Sequence, residues 1–535
     1  MKTFFTSLFI LFSCATSIYA QEPTMLSLKG YGGNGDDQVA THVIKTQDGG
    51  FIIQVGSNST VGTGNIDSFC ILSGYRSIFL KYNADASVLE WSKCYGNGGD
   101  SAFMYMFPAN DGGLVLGGEF IHGISGGFLI CKEDVLGNVV WSHNYSKGNG
   151  GGLSDMISTD DGGFIMAGLS NRTDTNVLIH YGSLGHDDIW VLKVDSNGNK
   201  VWSIVVGGTY DEAVFSVIPG PAGGCYIFGS TNSDDYDCTG YHGSVPGGPA
   251  GPDAYLARLD SNGNILWHHD LGGSAYDGEN GWGTADGKGG VLLANSSNST
   301  DGDVHHNTGN YDYWVLEVDS SNNILWDNSY GGGGNPYPMS ICKATDGSIW
   351  INGLSNGQGG EIDTVYDVLN GDAWLVHADS AGNFLNAKVL GSLGYDKGTM
   401  VYSLSNGFVM AGGFYSENNG SFSSLMSYGS FPSVDAFLAV FAPWATAVNN
   451  IEKQKGNVVM FPNPADELLT IEVTNEQYEY NLIINDLLGR EIFAGKIPLN
   501  KKGITINVSG WAKGVYYVQV VSDGGYRITE KILIQ

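Results

Sequence analysis

Residues 189–202 read IWVLKVDSNGNKVW: alternating bulky apolar side chains, a tight polar turn, and a tryptophan beyond it. Alternation with a period of two is the pattern of a half-buried β-strand. Asp, Asn, Ser and Gly between two such runs make a hairpin turn, because they supply local side-chain hydrogen bonds and tolerate positive φ. The turn-plus-tryptophan phrase returns from Asp260 to Trp267 and from Asp319 to Trp326; Trp91 and Trp141 hold the same place, and Asn386 replaces the indole once. The apolar phrase before it occurs seven times, as IFLKYN (78–83), FLICKE (128–133), IWVLKVD (189–195), AYLARLD (254–260), YWVLEVD (313–319), AWLVHAD (373–379) and AFLAVFA (436–442).

A third phrase precedes each of these. Asp48-Gly49-Gly50-Phe51 recurs at Asp111 and Asp161, with variants at Ala222, Lys288, Asp346 and Asn406, the seven copies standing 50 to 66 residues apart. One unit therefore reads strand a, DGG turn, strand b, long loop, strand c, tight turn, strand d. Four antiparallel strands in about 60 residues make a propeller blade. The 80 glycines then mark turns rather than disorder, because 12% of the chain is aromatic and the glycines sit between apolar runs. The expectation is an all-β chain with a seven-bladed β-propeller over residues 21–445. Strand d has only six internal copies, and Met25 to Gly33 (MLSLKGYGG) matches Ile324 to Gly332 (ILWDNSYGG), so the N-terminal strand is expected to close the last blade, with Ser27 at the tryptophan position. Such closure removes an open sheet edge.

The turn-plus-tryptophan phrase resembles the docking repeat of quinoprotein-type and kelch-like propellers over residues 25–443. That resemblance implies an indole packed on the neighbouring blade. It speaks to fold and not chemistry. Quinone dehydrogenases of that kind carry adjacent cysteines beside the cofactor, and this chain has no Cys-Cys pair.

After Ala442 the glycine phrases stop, and residues 446–456 are expected to be a linker. Alternating runs at Leu468–Thr474, Asn481–Asn485, Ile504–Val508, Val515–Val521 and Ile528–Ile534 then predict a small immunoglobulin-like β-sandwich over 457–535. Within it, Phe461-Pro462-Asn463-Pro464-Ala465, Asp486-Leu487-Leu488-Gly489-Arg490, Gly514-Val515-Tyr516-Tyr517-Val518 and the terminal run from Lys531 (KILIQ) stand in the order of the type IX secretion C-terminal sorting domain of Bacteroidetes, which this segment resembles. The resemblance implies sorting-motif roles for Pro462, Asn463, Pro464, Asp486, Gly489, Arg490, Gly514, Tyr516 and Lys531. It also implies type IX machinery and a sortase-like surface peptidase as partners, and a secreted or outer-membrane-surface location.

The N-terminus fits that route. Lys2, the short apolar run Phe4 to Phe12 and the small residue Ala20 have the layout of a cleavable signal over residues 1–20. Leu11-Phe12-Ser13-Cys14 offers a poorer lipoprotein-type alternative, and no later stretch is long and apolar enough for a transmembrane segment. The net charge of −30 lies in the central region, because the nine basic and nine acidic residues from Lys453 onward cancel. So acidic a surface disfavours nucleic acid and anionic membrane as partners. Six cysteines remain after the signal; export permits disulfides, and Cys225 with Cys238 is a candidate pair.

In an a-b-c-d meander the b–c and d–a loops share one face. Here the b–c loops are long and polar, as in Ser230–Pro252 and Asn295–Tyr311. Function concentrates on elaborated loops of a rigid scaffold. Asp37, Asp100, Asp211 and Asp277 each precede the DGG-equivalent residue by eleven positions, and Asp396 lies close to that offset. As a ring near the channel mouth they would hold a hard cation such as calcium through oxygen ligands. The competing expectation is that each Asp bonds its own glycine turn. No other cofactor is indicated. His180, His186, His242, His305 and His306 fall in b–c loops, where solvent exposure is the default, and Tyr236, Tyr241, Tyr311 and Tyr313 stand where they could stack on sugars. Only Arg76, Arg172 and Arg258 occur in the repeats, and GxSxG and HExxH are absent. The favoured expectation is a non-enzymatic binding or adhesion propeller for a glycan or surface protein. The alternative is a glycan-degrading hydrolase or lyase using two loop carboxylates.

Overall fold

A computed structural model describes residues 24–60, 63–65, 76–96, 101–122, 125–146, 152–173, 176–183, 185–243, 246–247, 251–278, 280–307, 310–362, 365–367, 369–404, 407–415, 420–425, 434–442, 458–473, 479–486, 490–522 and 527–535. The signal and linker segments, Asp100 and Gly489 lie outside them. The chain divides into two compact units, Met1–Trp444 and Ala445–Gln535.

Among the described residues the first unit holds seven four-stranded antiparallel sheets, each in the order a-b-c-d. Sheet 1 runs from Asp37–Lys45 to Leu89–Tyr95, sheet 2 from Ser101–Pro108 to Val139–Ser146, and sheet 3 from Leu153–Ser158 to Lys200–Val206. Sheet 4 runs from Glu212–Pro219 to Ile265–Leu271, sheet 5 from Gly281–Ala285 to Ile324–Tyr330, and sheet 6 from Tyr337–Lys343 to Phe384–Leu390. Sheet 7 takes strands a to c from Lys397–Leu404, Gly407–Tyr415 and Val434–Phe441, and its outer strand is the N-terminal Met25–Tyr31. The a strands of sheets 3 to 7 lie against one another in order, and strand a of sheet 1 meets both that of sheet 7 and that of sheet 2. The architecture is a β-propeller-like array.

Strands b and c are buried on both faces, as in Phe51–Ser57 and Asp188–Val194, while strand d is half-exposed. Apolar clusters accordingly form between sheets, such as Phe128 stacked on Trp190 at 4.1 Å across sheets 2 and 3. The strand-d indoles reach the next sheet's tight turn: Trp202 Nε1 donates to Ser261 O at 2.9 Å and Trp267 Nε1 to Ser320 O at 3.2 Å. In other such turns glycine makes room, since a Cβ on Gly263 would sit 2.8 Å from the Trp202 ring, and one on Gly198 equally close to Trp141; the turn under Trp267 has Asn322, at φ 72°, in that place. Ser27 pairs with Val440 as Trp202 pairs with Lys193, so Ser27 does occupy the tryptophan place. The turn it faces carries Ala86, not glycine, and Lys29 Nζ donates to the Ala86 carbonyl at 3.3 Å.

Cys94 is disulfide-bonded, whereas Cys225 and Cys238 are buried free thiols. The pairing considered for those two is therefore not made. Cys225 opens strand b of sheet 4 and Cys238 lies in the b–c loop at its far end.

The second unit is a sandwich of a three-stranded sheet (Val458–Phe461, Leu468–Val473, Gly503–Asn507) and a four-stranded sheet (Glu491–Ile497, Tyr480–Asp486, Gly514–Ser522, Arg527–Ile534). Leu469, Ile471, Leu482, Ile484, Val518 and Ile532 form its core.

Candidate ligand face and the sorting motifs

At the d–a corner, Asp37, Glu212, Asp277 and Asp396 occupy equivalent places at the start of the inner strands. Each accepts a bond from the amide four residues earlier: Gly33 (2.7 Å), Gly208 (2.9 Å), Gly273 (2.8 Å) and Ser392 (2.6 Å). Hydroxyls satisfy them further, Ser59 on Asp37 and Ser299 on Asp277 at 2.7 Å, and Thr231 on Glu212 at 2.8 Å. Burial pushes the Glu212 carboxyl up to about 8 and that of Asp277 to about 6.

These carboxylates brace their own turns, and among the described residues no three His, Cys, Asp or Glu groups stand at ligating distance of one point. Asp211 is exposed and accepts the Asp187 amide at 3.0 Å; Glu212 takes the buried place instead. The reason is a bulge. Strand a breaks register between Val39 and Val43 in sheet 1 but only between Val214 and Ser216 in sheet 4, so a count back from the turn lands one residue off.

A second set of buried acids went unread in the sequence. Asp188, Asp253, Asp312 and Asp372 open strand c in four sheets, and Asp435 is the second residue of strand c in sheet 7. Three of them visibly latch the b–c loop that precedes them. Asp188 accepts His180 Nδ1 at 2.6 Å and the Tyr181 amide at 2.8 Å. Asp253 accepts the His242 amide at 2.7 Å and His242 Nδ1 at 2.9 Å, and that bond raises the imidazole's proton affinity. Asp372 accepts the Tyr366 amide at 2.6 Å. Four of the five acids, Asp253 excepted, also demand a glycine after strand d: a Cβ on Gly32, Gly207, Gly331 or Gly391 would lie 1.6–2.1 Å from the oxygen of Asp435, Asp188, Asp312 or Asp372. Sheet 2 has Gly127 in place of the acid, and there Ser146, its pairing partner, replaces the corner glycine. The pairing of Asp before the apolar phrase with Gly after strand d was the available sequence signal.

The latches hold histidines and tyrosines on one face. His180 is buried, with a side chain only 6% exposed, contrary to the expectation for loop histidines. His186 Nδ1 lies 3.1 Å from Asp211, and His305 Nδ1 lies 2.9 Å from Asp327. Tyr313 is fully buried, packing on Trp374 at 4.6 Å, and Tyr241 is buried with its hydroxyl on Gly251 O at 2.7 Å, so neither can stack on a ligand. Tyr236 is 63% exposed and rests on Tyr181 at 4.9 Å. Tyr311 bridges Tyr276 (6.2 Å) and Tyr337 (5.8 Å) across sheets 5 and 6.

In the second unit the four motif segments are structural neighbours. Asn463 Oδ1 accepts the Leu533 amide at 2.9 Å, Asn463 Nδ2 donates to Lys531 O at 3.1 Å, and Ala465 N donates to Leu533 O at 2.8 Å, so the FPNPA segment is stitched to the terminal strand. Both prolines, Pro462 and Pro464, follow cis peptide bonds. Arg490 closes its hairpin on Asp486, with Nε at 2.7 Å from Oδ2 and its amide at 3.0 Å from Oδ1. Gly514 begins a strand at φ 153°, and Tyr516 buries its ring beside Trp511 while donating to Ala512 O at 2.7 Å.

No curated protein matches the sequence. Among solved structures, the chain is similar to the extracellular domain of a putative hybrid two-component system from B. thetaiotaomicron, at 11% identity and TM-score 0.37, covering 95% of this chain and 58% of that one. It thus spans about 58% of the length of that neighbour. It is also similar to the WD40 domain of Neurospora crassa Pan2 (10% identity, TM-score 0.39, 79% and 98% covered). The phage phi92 endosialidase is a third such structure (8% identity, TM-score 0.37, 94% and 87% covered). No helix among the described residues is long and apolar enough to cross a membrane. Residues 459–535 match the family model of the secretion system C-terminal sorting domain, which makes the C-terminal unit a type IX sorting domain and the protein a secreted or outer-membrane-attached extracellular one.

Proposed function

We propose that the chain is an exported seven-bladed propeller that binds a ligand, a glycan or a surface protein, through the face carrying its b–c loops. In this reading residues 1–20 are a cleaved signal, 21–445 the propeller, 446–456 a linker and 457–535 the domain read by the type IX machinery and its sortase-like peptidase. One observation carries the proposal. Long polar loops are latched to the scaffold by buried Asp188, Asp253 and Asp372 and present exposed or half-exposed tyrosines, while the opposite face is trimmed to short turns. Rigid aromatic platforms on held loops favour stacking on sugar faces and cost little ordering entropy on binding. The test is a glycan array probed with the mature protein, followed by chromatography of any bound oligosaccharide. Retention without shorter products, weakened by Tyr236→Ala or Tyr311→Ala, is the expected result. Release of shorter sugars assigns the loop carboxylates to catalysis instead, and no retention of any glycan leaves a protein ligand as the reading to pursue by surface cross-linking.

A further inference from the structure

Four seams of the array bring a strand-d tryptophan toward a glycine in the next sheet's tight turn, and three of them are closed. A Cβ on Gly198, Gly263 or Gly382 would sit 2.8, 2.8 or 2.4 Å from the ring of Trp141, Trp202 or Trp326. The fourth seam, between sheets 1 and 2, is open. Gly137 holds the same place in its turn at φ 83°, yet a Cβ there would meet nothing within 4 Å. A cavity of about 400 Å³ lies in this seam, lined by Trp91 on strand d of sheet 1 and by the turns of sheets 1 and 2. Small-molecule sites span about 300–1,000 Å³.

The lining departs from the repeat in two ways. Trp202 and Trp267 give their indole N–H to a serine carbonyl of the next turn, and Trp326 gives its own to Glu317 at 2.7 Å. Trp91 Nε1 has no hydrogen-bond partner among the described residues. Second, sheets 3 to 6 have serine after the turn's aspartate (Ser196, Ser261, Ser320, Ser380), whereas sheet 2 has Val135 followed by Leu136. Val135 lines the cavity and is 68% exposed, and Leu136 is 83% exposed. An exposed apolar pair beside an unfilled cavity marks a surface that a ligand covers.

The charges on the lining select the class of ligand. Asp48 and Asp134 balance Lys81 and Lys93, so the cavity favours no net ion. The chain's net charge of −30 further disfavours a polyanion. Hydrogen-bonding capacity is nonetheless left over. Lys93 Nζ has only Glu133, at 3.7 Å, too far for a hydrogen bond. The Asp48 carboxylate is 57% exposed and accepts from the Thr46 hydroxyl, the Gly50 amide and Lys81, which leaves one of its four lone-pair sites. An indole, two free donors and a free acceptor on an uncharged balance match a ring with an apolar C–H face and hydroxyls at its edge. That ring is a neutral sugar.

We propose that the seam between sheets 1 and 2 binds a neutral pyranose residue, stacked on Trp91 and hydrogen-bonded by Lys93 and Asp48. The site lies among the short turns, on the face opposite the b–c loops, and is independent of the ligand reading for those loops.

The test is calorimetric titration of the mature protein with cello-, malto-, manno- and xylotetraose, with tetragalacturonate as the anionic comparison. At least one neutral tetrasaccharide should bind at one site per chain and more tightly than tetragalacturonate. Trp91→Ala should weaken it about tenfold or more, the worth of one aromatic contact, and Lys93→Ala should weaken it as well. Val135→Ser with Leu136→Asn restores the turn that sheets 3 and 4 already use, so it should keep the parent's melting temperature and still lose affinity. Tyr236→Ala and Tyr311→Ala, on the other face, should leave this binding unchanged. The proposal is overturned if no neutral tetrasaccharide binds, if tetragalacturonate binds best, or if Trp91→Ala and the turn variant keep the parent affinity. Loss confined to the Tyr236 and Tyr311 variants also overturns it and moves the sugar to the b–c loops.

Discussion

Removal of Thr24–Tyr31 tests whether the repeat array depends on its first strand. That strand pairs with Val434–Phe441 through six positions, from Met25↔Phe441 to Tyr31↔Ala436. At about one ladder bond per pair and 0.5–1.5 kcal/mol each, the loss is roughly 3–9 kcal/mol. Tyr31, 4% exposed among Phe51, Ile78 and Tyr82, adds about 2 kcal/mol of apolar burial. The total rivals the whole stability of an ordinary domain, about 5–15 kcal/mol. Lys29 also lies over the Tyr82 ring at 4.6 Å, so the strand joins sheet 7 to sheet 1 as well as completing sheet 7. The truncated protein should melt far below the parent by tryptophan fluorescence, and its bared Val434–Phe441 edge should promote association. A synthetic peptide of residues 24–33 added in trans should restore part of the transition. Should truncation leave the melting midpoint where it was, with or without peptide, the closure argument is refuted. Tyr31→Ala gives a milder version, expected to cost about 3–5 kcal/mol in the same assay.

The other predictions address single contacts. Ser27→Trp alone should destabilise, because its indole meets the Ala86 methyl, while Ser27→Trp with Ala86→Gly should recover the other sheets' docking; a double-mutant cycle should give a favourable coupling of about 0.5–3 kcal/mol. Glu212 is raised to about 8 by burial, so the folded state holds its proton while the unfolded chain has lost it. Its stabilisation is complete below the unfolded carboxyl range near pH ~4.5 and falls as pH rises toward 8, by at most about 5 kcal/mol. Glu212→Gln should flatten that alkaline decline in urea titrations at pH ~6 and ~9. His377 runs the opposite way: burial lowers it to about 4, so stability falls as pH drops from ~6.5 to 4 and levels below, and His377→Phe should blunt the acid limb of the same titration. Asn463→Ala removes two bonds to the terminal strand, at a cost of about 1–2 kcal/mol. Surface proteolysis of whole cells should show less protein delivered.

What the sequence reveals and what it hides divides along one physical line. Features that repeat with the chain's own period are legible: the c-strand phrase, the tight turn and the indole recur because each sheet must bury the same two faces and dock on the same neighbour. The N-terminal strand was findable for the same reason, since Tyr31-Gly32-Gly33 repeats Tyr330-Gly331-Gly332. Offsets counted across a bulge are not legible, because one extra residue reverses every side chain beyond it, and this is how Asp211 was taken for Glu212. Side-chain direction in a loop, or at the start of the strand after it, is equally hidden, which is why Tyr241 and Tyr313 read like platforms and pack as core. A repeat fold thus writes its scaffold in the regular part of the chain and its chemistry in the departures. Sites are then best sought where one repeat differs from the other six, as sheet 4 does with paired histidines on strand d where four of the others have Trp followed by Ser or Asp.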